Sequence, residues 1–321
     1  DILDSLSRNK LPIISRQSIY RWIRDSNLKT IKYEPIDNKK TLYVMADEKW
    51  IHEQYANNNN NKKNYIMCKC FVVFTGIKRN GKRAKLIGRH VFITSTNNPW
   101  KELIDDIAKI YDFEKIKTIN LLSDAGSWIL AGKSELKLYS HNNIVVNTCE
   151  FHVKQKINRS TTDDKLREQL ISAVYKEHDK NKFKEIMNNI IASKEKQSRK
   201  DTITSYRDYI IKHWLGIQAM QECPCKSSME AHISHCVASK FGSRPKAYSR
   251  NNIQTYLKFQ EAYLNGINIM DYYLKCYYSD DNFIYNEKEV DFSLFDRSTS
   301  NLPTAYSGNP ASIAIRAIAN I

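Results

Sequence analysis

Three acids in this chain, Asp47, Asp124 and Glu230, have the surroundings that metal-assisted chemistry needs. Asp47 follows the apolar run 42–46, and Asp124 closes a second one, 116–122. An acid just past a buried strand sits at a sheet edge, where open α/β sheets gather their ligands. Two such carboxylates on neighbouring strands repel each other alone but can share a divalent cation. Gly126 allows a sharp turn after Asp124, and Ser127 can cap the helix that follows. Taken singly, each Asp is also what any polar strand end looks like. Glu230 stands in Ser-Ser-Met-Glu-Ala-His-Ile-Ser-His (227–235), which reads as a helix start. Ser227 lies three residues before it, so a capping box competes with a ligand role. The intervals of 77 and 106 residues, the second crossing a long helical stretch, give two Asp and a late helical Glu. That is the layout of a two-metal carboxylate site.

Other residue groups admit two readings each. Cys223 and Cys225, with His232, His235 and Cys236, contain enough ligands for one tetrahedral Zn²⁺. Their Cys-x-Cys spacing is less typical than Cys-x₂-Cys, so free thiols are the rival reading. In 240–250, Lys240, Arg244, Lys246 and Arg250 interleave with Phe241 and Tyr248, a pattern that suits a DNA backbone with an exposed base. A solvated basic loop would look the same. His152 and Lys154 open a helix and either face a phosphate or lie on ordinary surface. Near the start, Ile19, Trp22 and Ile23 share a helix face, leaving Arg16, Gln17 and Arg21 off it. That is the pattern of a groove-reading helix in a helix-turn-helix, or of a plain amphipathic helix. Lys49 and Trp50 follow Asp47, and packing is the expected role of Trp50.

The elements that must position these groups are legible in outline. Strands are expected at 42–46, 65–77, 84–94, 116–122 and 143–148, with a hairpin turn at Asn80-Gly81. Helices are expected near 100–111 and 127–138. Residues 150–220 are charged and helical throughout. The fold class is therefore α/β: a mixed sheet with flanking helices and an all-α insertion before the last acid. The expected divisions are an N-terminal helical DNA-binding remnant (1–36), a first core part (37–149), the insertion (150–222), the end of the core (223–262) and a tail (263–321).

Composition narrows the class of partner. Lys and Arg number 50 against 35 Asp and Glu in 321 residues, a net charge of +15, which points to nucleic acid. A hydrophobic content of 41% argues against wholesale disorder. No apolar stretch approaches the roughly 18–20 residues of a membrane span. Seven cysteines, an odd number in a long chain, do not make a secreted disulfide scaffold. The chain opens at Asp1 without Met, as a fragment would, and no signal peptide is read there. An intracellular, soluble protein is expected.

The stretches Met-Ala-Asp-Glu-Lys-Trp-Ile (45–51), Ser-Asp-Ala-Gly-Ser-Trp-Ile (123–129), Phe-His-Val-Lys (151–154), Glu-Ala-His-Ile-Ser-His (230–235) and Ser-Arg-Pro (243–245) resemble DDE transposases. The likeness is to bacterial insertion-sequence transposases of the ISLre type, distantly Mutator-like. The resemblance implies a ribonuclease-H-like catalytic domain with Asp47, Asp124 and Glu230 as catalytic and metal-binding triad. It implies two Mg²⁺ or Mn²⁺ ions, Asp47 bridging them, and double-stranded DNA as partner, both element ends and target. It also implies a homodimer or larger assembly on DNA, without a membrane, in the bacterial cytoplasm near the nucleoid. Zn²⁺ at Cys223, Cys225, His232 and His235 would be a structural brace. Two features depart from the pattern: Cys149 stands where an acid often precedes the Phe-His pair, and the N-terminal region is short. A ribonuclease-H-like nuclease without strand transfer, or a decayed DNA-binding relative, would share the same motifs.

Overall fold

The structure, a computed structural model, describes residues 33–37, 40–54, 65–81, 83–139, 143–226, 232, 234–241 and 247–267. The expected helix with Arg16, Gln17 and Arg21 falls outside the described residues, as do Glu230, Arg244, Lys246 and the expected tail beyond 267. His235 is described in its backbone only. The described chain divides into a larger unit, 33–50 with 67–241, and a smaller one of 51–54, 65–66 and 247–267.

The larger unit is built on a five-strand mixed sheet in the order β5-β2-β1-β6-β7. The strands are β1 (Thr41–Glu53), β2 (Tyr65–Phe74), β5 (His90–Thr94), β6 (Thr118–Ser123) and β7 (Asn143–Thr148). β1, β6 and β7 run parallel, and β2 pairs antiparallel with β5. Helices α1 (Pro99–Ile107) and α2 (Ser127–Tyr139) cover one face. Alternation decides which side chains they cover: Leu42, Val44 and Ala46 of β1 and Phe71 and Val73 of β2 enter one core with Trp100, Leu103, Ile104 and Ile107 of α1. At Gly132 of α2 a Cβ would lie 2.2 Å from the Trp100 ring, so glycine sets how closely the two helices approach. This mixed sheet with flanking helices is compatible with the ribonuclease-H-like expectation.

Residues 150–222 form five helices: α3 (Glu150–Ser160), α4 (Asp164–Tyr175), α5 (Lys180–Ala192), α6 (Gln197–Lys212) and α7 (Trp214–Glu222). They enclose a core of their own, in which Val153, Leu170, Phe183, Met187, Ile203 and Trp214 meet. Asp163 and Asp179 cap α4 and α5 by accepting backbone N–H groups of the first turn. A π-helix (Ser234–Ala238) and a short turn, α8 (Ser239–Phe241), follow. In the smaller unit β8 (Ala247–Tyr248) pairs with the end of β1, and α9 (Arg250–Leu264) follows it.

Three strand expectations are corrected. The run 65–77 breaks at Thr75: β2 ends at Phe74, and β3 (Gly76–Asn80) pairs only with β4 (Arg83–Ile87) in a separate ribbon. The run 84–94 divides at Gly88, whose φ of 56° ends β4 before β5 begins. A side chain there would meet Ile36 and Thr75 at 2.9 Å, so the position takes only glycine. The expected turn at Asn80-Gly81 does close this ribbon, with Asn80 opposite Arg83. Finally, β1 does not stop with its apolar run but continues to Glu53, because backbone pairing outlasts the buried side chains.

Candidate functional site

Strand register brings the two aspartates to one place. β1 and β6 are paired from Thr41 opposite Thr118 to Met45 opposite Leu122. Asp47 and Asp124 each stand two residues beyond that last pair, Asp124 in the turn that follows β6. β6 and β7 are paired as far as Ser123 opposite Thr148, and the Cys149 N–H donates to the Ser123 carbonyl at 2.7 Å. Cys149 thus stands one residue beyond that pair. Asp47 stands inside β1 and not past its end, because β1 outruns its pairing with β6. Alternation turns Asp47 away from the α1–α2 face, and Glu48 toward it. Accordingly Glu48 Oε2 accepts the Trp128 indole N–H at 2.6 Å, at the start of α2. Trp50 is 51% exposed, so the expectation that it packs is not met.

The turn after β6 fixes the Asp124 carboxylate. Its Oδ1 accepts the Gly126 N–H at 2.9 Å, and the buried Ser123 hydroxyl accepts the Ala125 N–H at 3.0 Å. The sharp bend falls on Ala125, with φ 65°, and not on Gly126 as expected. Gly126 matters instead for clearance: a Cβ there would sit 3.3 Å from Asp124 Oδ1. Among the described residues the second Asp124 oxygen carries no hydrogen bond. Asp47 Oδ1 accepts the Glu48 N–H at 2.8 Å.

Helices α3 and α6 supply residues that the sequence reading passed over. The Tyr209 hydroxyl donates to the Asp124 carbonyl. The Lys156 ammonium lies 4.3 Å from the centre of the Tyr209 ring and 5.7 Å from that of Tyr206. The His213 ring packs on Tyr209 with centroids 4.8 Å apart. Burial holds the Lys156 pKa below the usual lysine range, against the pull of the Asp124 carboxylate. Burial also lowers His213, helped by Lys212 and opposed by Asp124. Tyr206, Tyr209 and His213 recur at helical spacing, a stripe that the sequence does display. Of the two residues expected to face a phosphate, Lys154 pairs with Glu150 at 2.5 Å, and half-buried His152 packs edge-on against Phe151.

All six described cysteines are buried and outside any disulfide. Cys223 donates to the Cys225 carbonyl at 3.0 Å, while Cys225 accepts from the Tyr43 hydroxyl. His232 meets a different thiol, Cys236. Hydrogen bonding from Cys70, then from His232, pulls Cys236 down to about 5 against burial. Among the described residues no group of three or more His, Cys, Asp or Glu is arranged to hold a metal ion. In the smaller unit Arg250 grips Glu53 through two hydrogen bonds of 2.9 and 2.7 Å. The Tyr248 ring lies against Tyr256, and in the larger unit Lys240 is half-buried. Among the described residues no helix is long and apolar enough to cross a membrane.

Fold and site together describe a mixed α/β protein in which Asp47 and Asp124 follow the paired stretches of β1 and β6. The chain belongs to the uncharacterised protein family UPF0236, whose sequence profile matches residues 4–274. Three UPF0236 proteins of Caldanaerobacter subterraneus subsp. tengcongensis are each 24% identical over 263 residues, 79% of this chain. The match takes in 53%, 50% and 53% of their lengths, so the chain spans about half the length of the curated relatives it matches. The names of the first and third cover four and eleven loci of that genome. Among solved structures, the Drosophila P element transposase strand transfer complex aligns with 98% of this chain and 87% of its own, at 13% identity and a TM-score of 0.29. That likeness is too loose to assign a fold.

Proposed function

We propose that this protein is a DNA transposase of the DDE type, resembling the ISLre insertion-sequence enzymes, on a ribonuclease-H-like domain. The observation that carries the reading is the parallel pairing of β1 with β6 as far as Met45 opposite Leu122, which leaves Asp47 and Asp124 each two residues further along adjacent chain segments, a placement suited to hard divalent cations. Their oxygen donors fit Mg²⁺ or Mn²⁺, with Glu230 as third ligand. Such ions would polarise the scissile phosphate and activate the attacking water or 3′-hydroxyl. The chain's own part is to hold both carboxylates at one sheet edge and to present double-stranded DNA to them, as a dimer or larger assembly. A relative whose name covers eleven loci of one genome has the distribution that a self-copying DNA element leaves behind.

The test is divalent-metal-dependent cleavage and joining of labelled duplexes taken from the DNA on either side of the gene. Full-length protein is compared with Asp47→Asn and Asp124→Asn. Joined products that need Mn²⁺ or Mg²⁺ and disappear in both variants are expected. Cleavage without joining would leave a ribonuclease-H-like nuclease. Wild type that binds these duplexes yet performs no chemistry would be a decayed relative, and the enzymatic reading would be lost.

A further inference from the structure

We propose that Lys156, Tyr209 and His213 form a phosphate-binding shelf beside Asp124, taking one non-bridging oxygen of the DNA strand that reaches the carboxylates. The proposal rests on the DNA reading above and extends it, because it makes the helical segment 150–222 a wall of the site. Tyr209 is the anchor: its hydroxyl ties α6 to the backbone of Asp124 itself. Its ring then carries Lys156 from α3 and His213 from its own helix, the one by a cation–π contact and the other ring against ring.

Charge identifies the ligand. Lys156 and His213 lie within electrostatic reach of the Asp124 carboxylate, with Arg159 and Lys212 close behind them. The nearest other acid on α3, Glu150, is paired with Lys154. The cations Lys156, Arg159 and Lys212 outnumber the two carboxylates of Asp47 and Asp124, and a hard cation on Asp124 would leave the wall more positive still. A phosphodiester oxygen complements a half-buried ammonium and an imidazole held at fixed positions. A purely structural lysine would need only its apolar stem against Tyr206 and Tyr209.

Full-length protein is titrated with a short random-sequence DNA duplex in Ca²⁺ buffer over a series of salt concentrations. Lys156→Met keeps the stem and removes the charge. It is expected to lower the slope of log affinity against log salt by about 1 and to weaken binding evenly across sequences. Lys156→Arg is expected to keep the wild-type slope, as is Lys109→Ala, a change at an exposed lysine just beyond α1. Urea unfolding checks that every variant is folded. If wild type binds and Lys156→Met shows the same slope, the shelf is only packing, and this inference fails while the DNA reading survives. If wild type binds no duplex, the DNA reading fails and the shelf with it.

Discussion

At the scale of single residues, the position of the Asp124 carboxylate depends on the two residues that follow it. Ala125 adopts a left-handed conformation, φ 65°, which costs an L-residue roughly 1–2 kcal/mol. Glycine relieves that strain but raises the entropy lost on folding by roughly 0.5–1 kcal/mol. Ala125→Gly is therefore expected to raise the unfolding free energy in urea by about 0.5 kcal/mol; a fall would mean that the turn is not strained at this residue. Gly126→Ala acts on the carboxylate that the proposed function makes a metal ligand. Its Cβ would press on Asp124 Oδ1 from 3.3 Å, so weaker Mn²⁺ binding with nearly unchanged stability is expected in a spectroscopic titration. Asp47 and Asp124 could be picked out in the sequence because each follows an apolar run. Ala125 and Lys156 could not, because their roles depend on a backbone angle and on a distant helix; Tyr209 stood in a visible stripe, but nothing local tied that stripe to Asp124.

At the scale of elements, the exposed edge of β7 has to be covered, since an unpaired strand invites other chains to add to it. Helix α7 does this, and Gly216 allows the approach: a Cβ there would meet Thr148 Oγ1 at 2.5 Å and the Val146 carbonyl at 3.3 Å. Gly216→Ala is expected to destabilise by roughly 1–3 kcal/mol through overpacking. Thr148→Ala in the same chain should recover part of the loss, and a double-mutant cycle from urea unfolding would measure that coupling. Absence of coupling would place the strain elsewhere. Parallel strands β6 and β7 were readable as short apolar runs, because burial on both faces leaves a continuous signal. The breaks after Phe74 and at Gly88 are marked only by a glycine inside an apolar run, Gly76 and Gly88, a weaker signal than the hydrophobic pattern around it. The length of β1 was missed for the opposite reason: hydrogen-bonded pairing with β8 continues after hydrophobicity has stopped.

At the scale of the molecule, the sheet and the helical segment each have a core, and tyrosines buried wholly or in part are distributed over both. Tyr111 packs in the sheet core, its hydroxyl bonded to the Gly88 carbonyl at 2.7 Å. Tyr175 and Tyr209 pack against the helical core, and Tyr43 stacks on Phe74. Burial is the leading cause that raises all four phenols above their ordinary value of 10.0. In the folded chain they hold their protons at pH values where the unfolded chain has released them. Their stabilising effect is therefore complete below pH 10 and is lost as pH rises beyond it. A spectrophotometric titration should show exposed tyrosines ionising first, without loss of near-ultraviolet circular dichroism. The buried set should ionise only together with unfolding. The two cores then make a sharper expectation: Tyr111→Phe should alter unfolding of the sheet core, and Tyr209→Phe that of the helices. If hydrogen exchange shows both cores opening together in either variant, sheet and helical segment fold as one cooperative body. Tyrosinate formation in a single phase near pH 10 with the fold intact would contradict the burial argument itself.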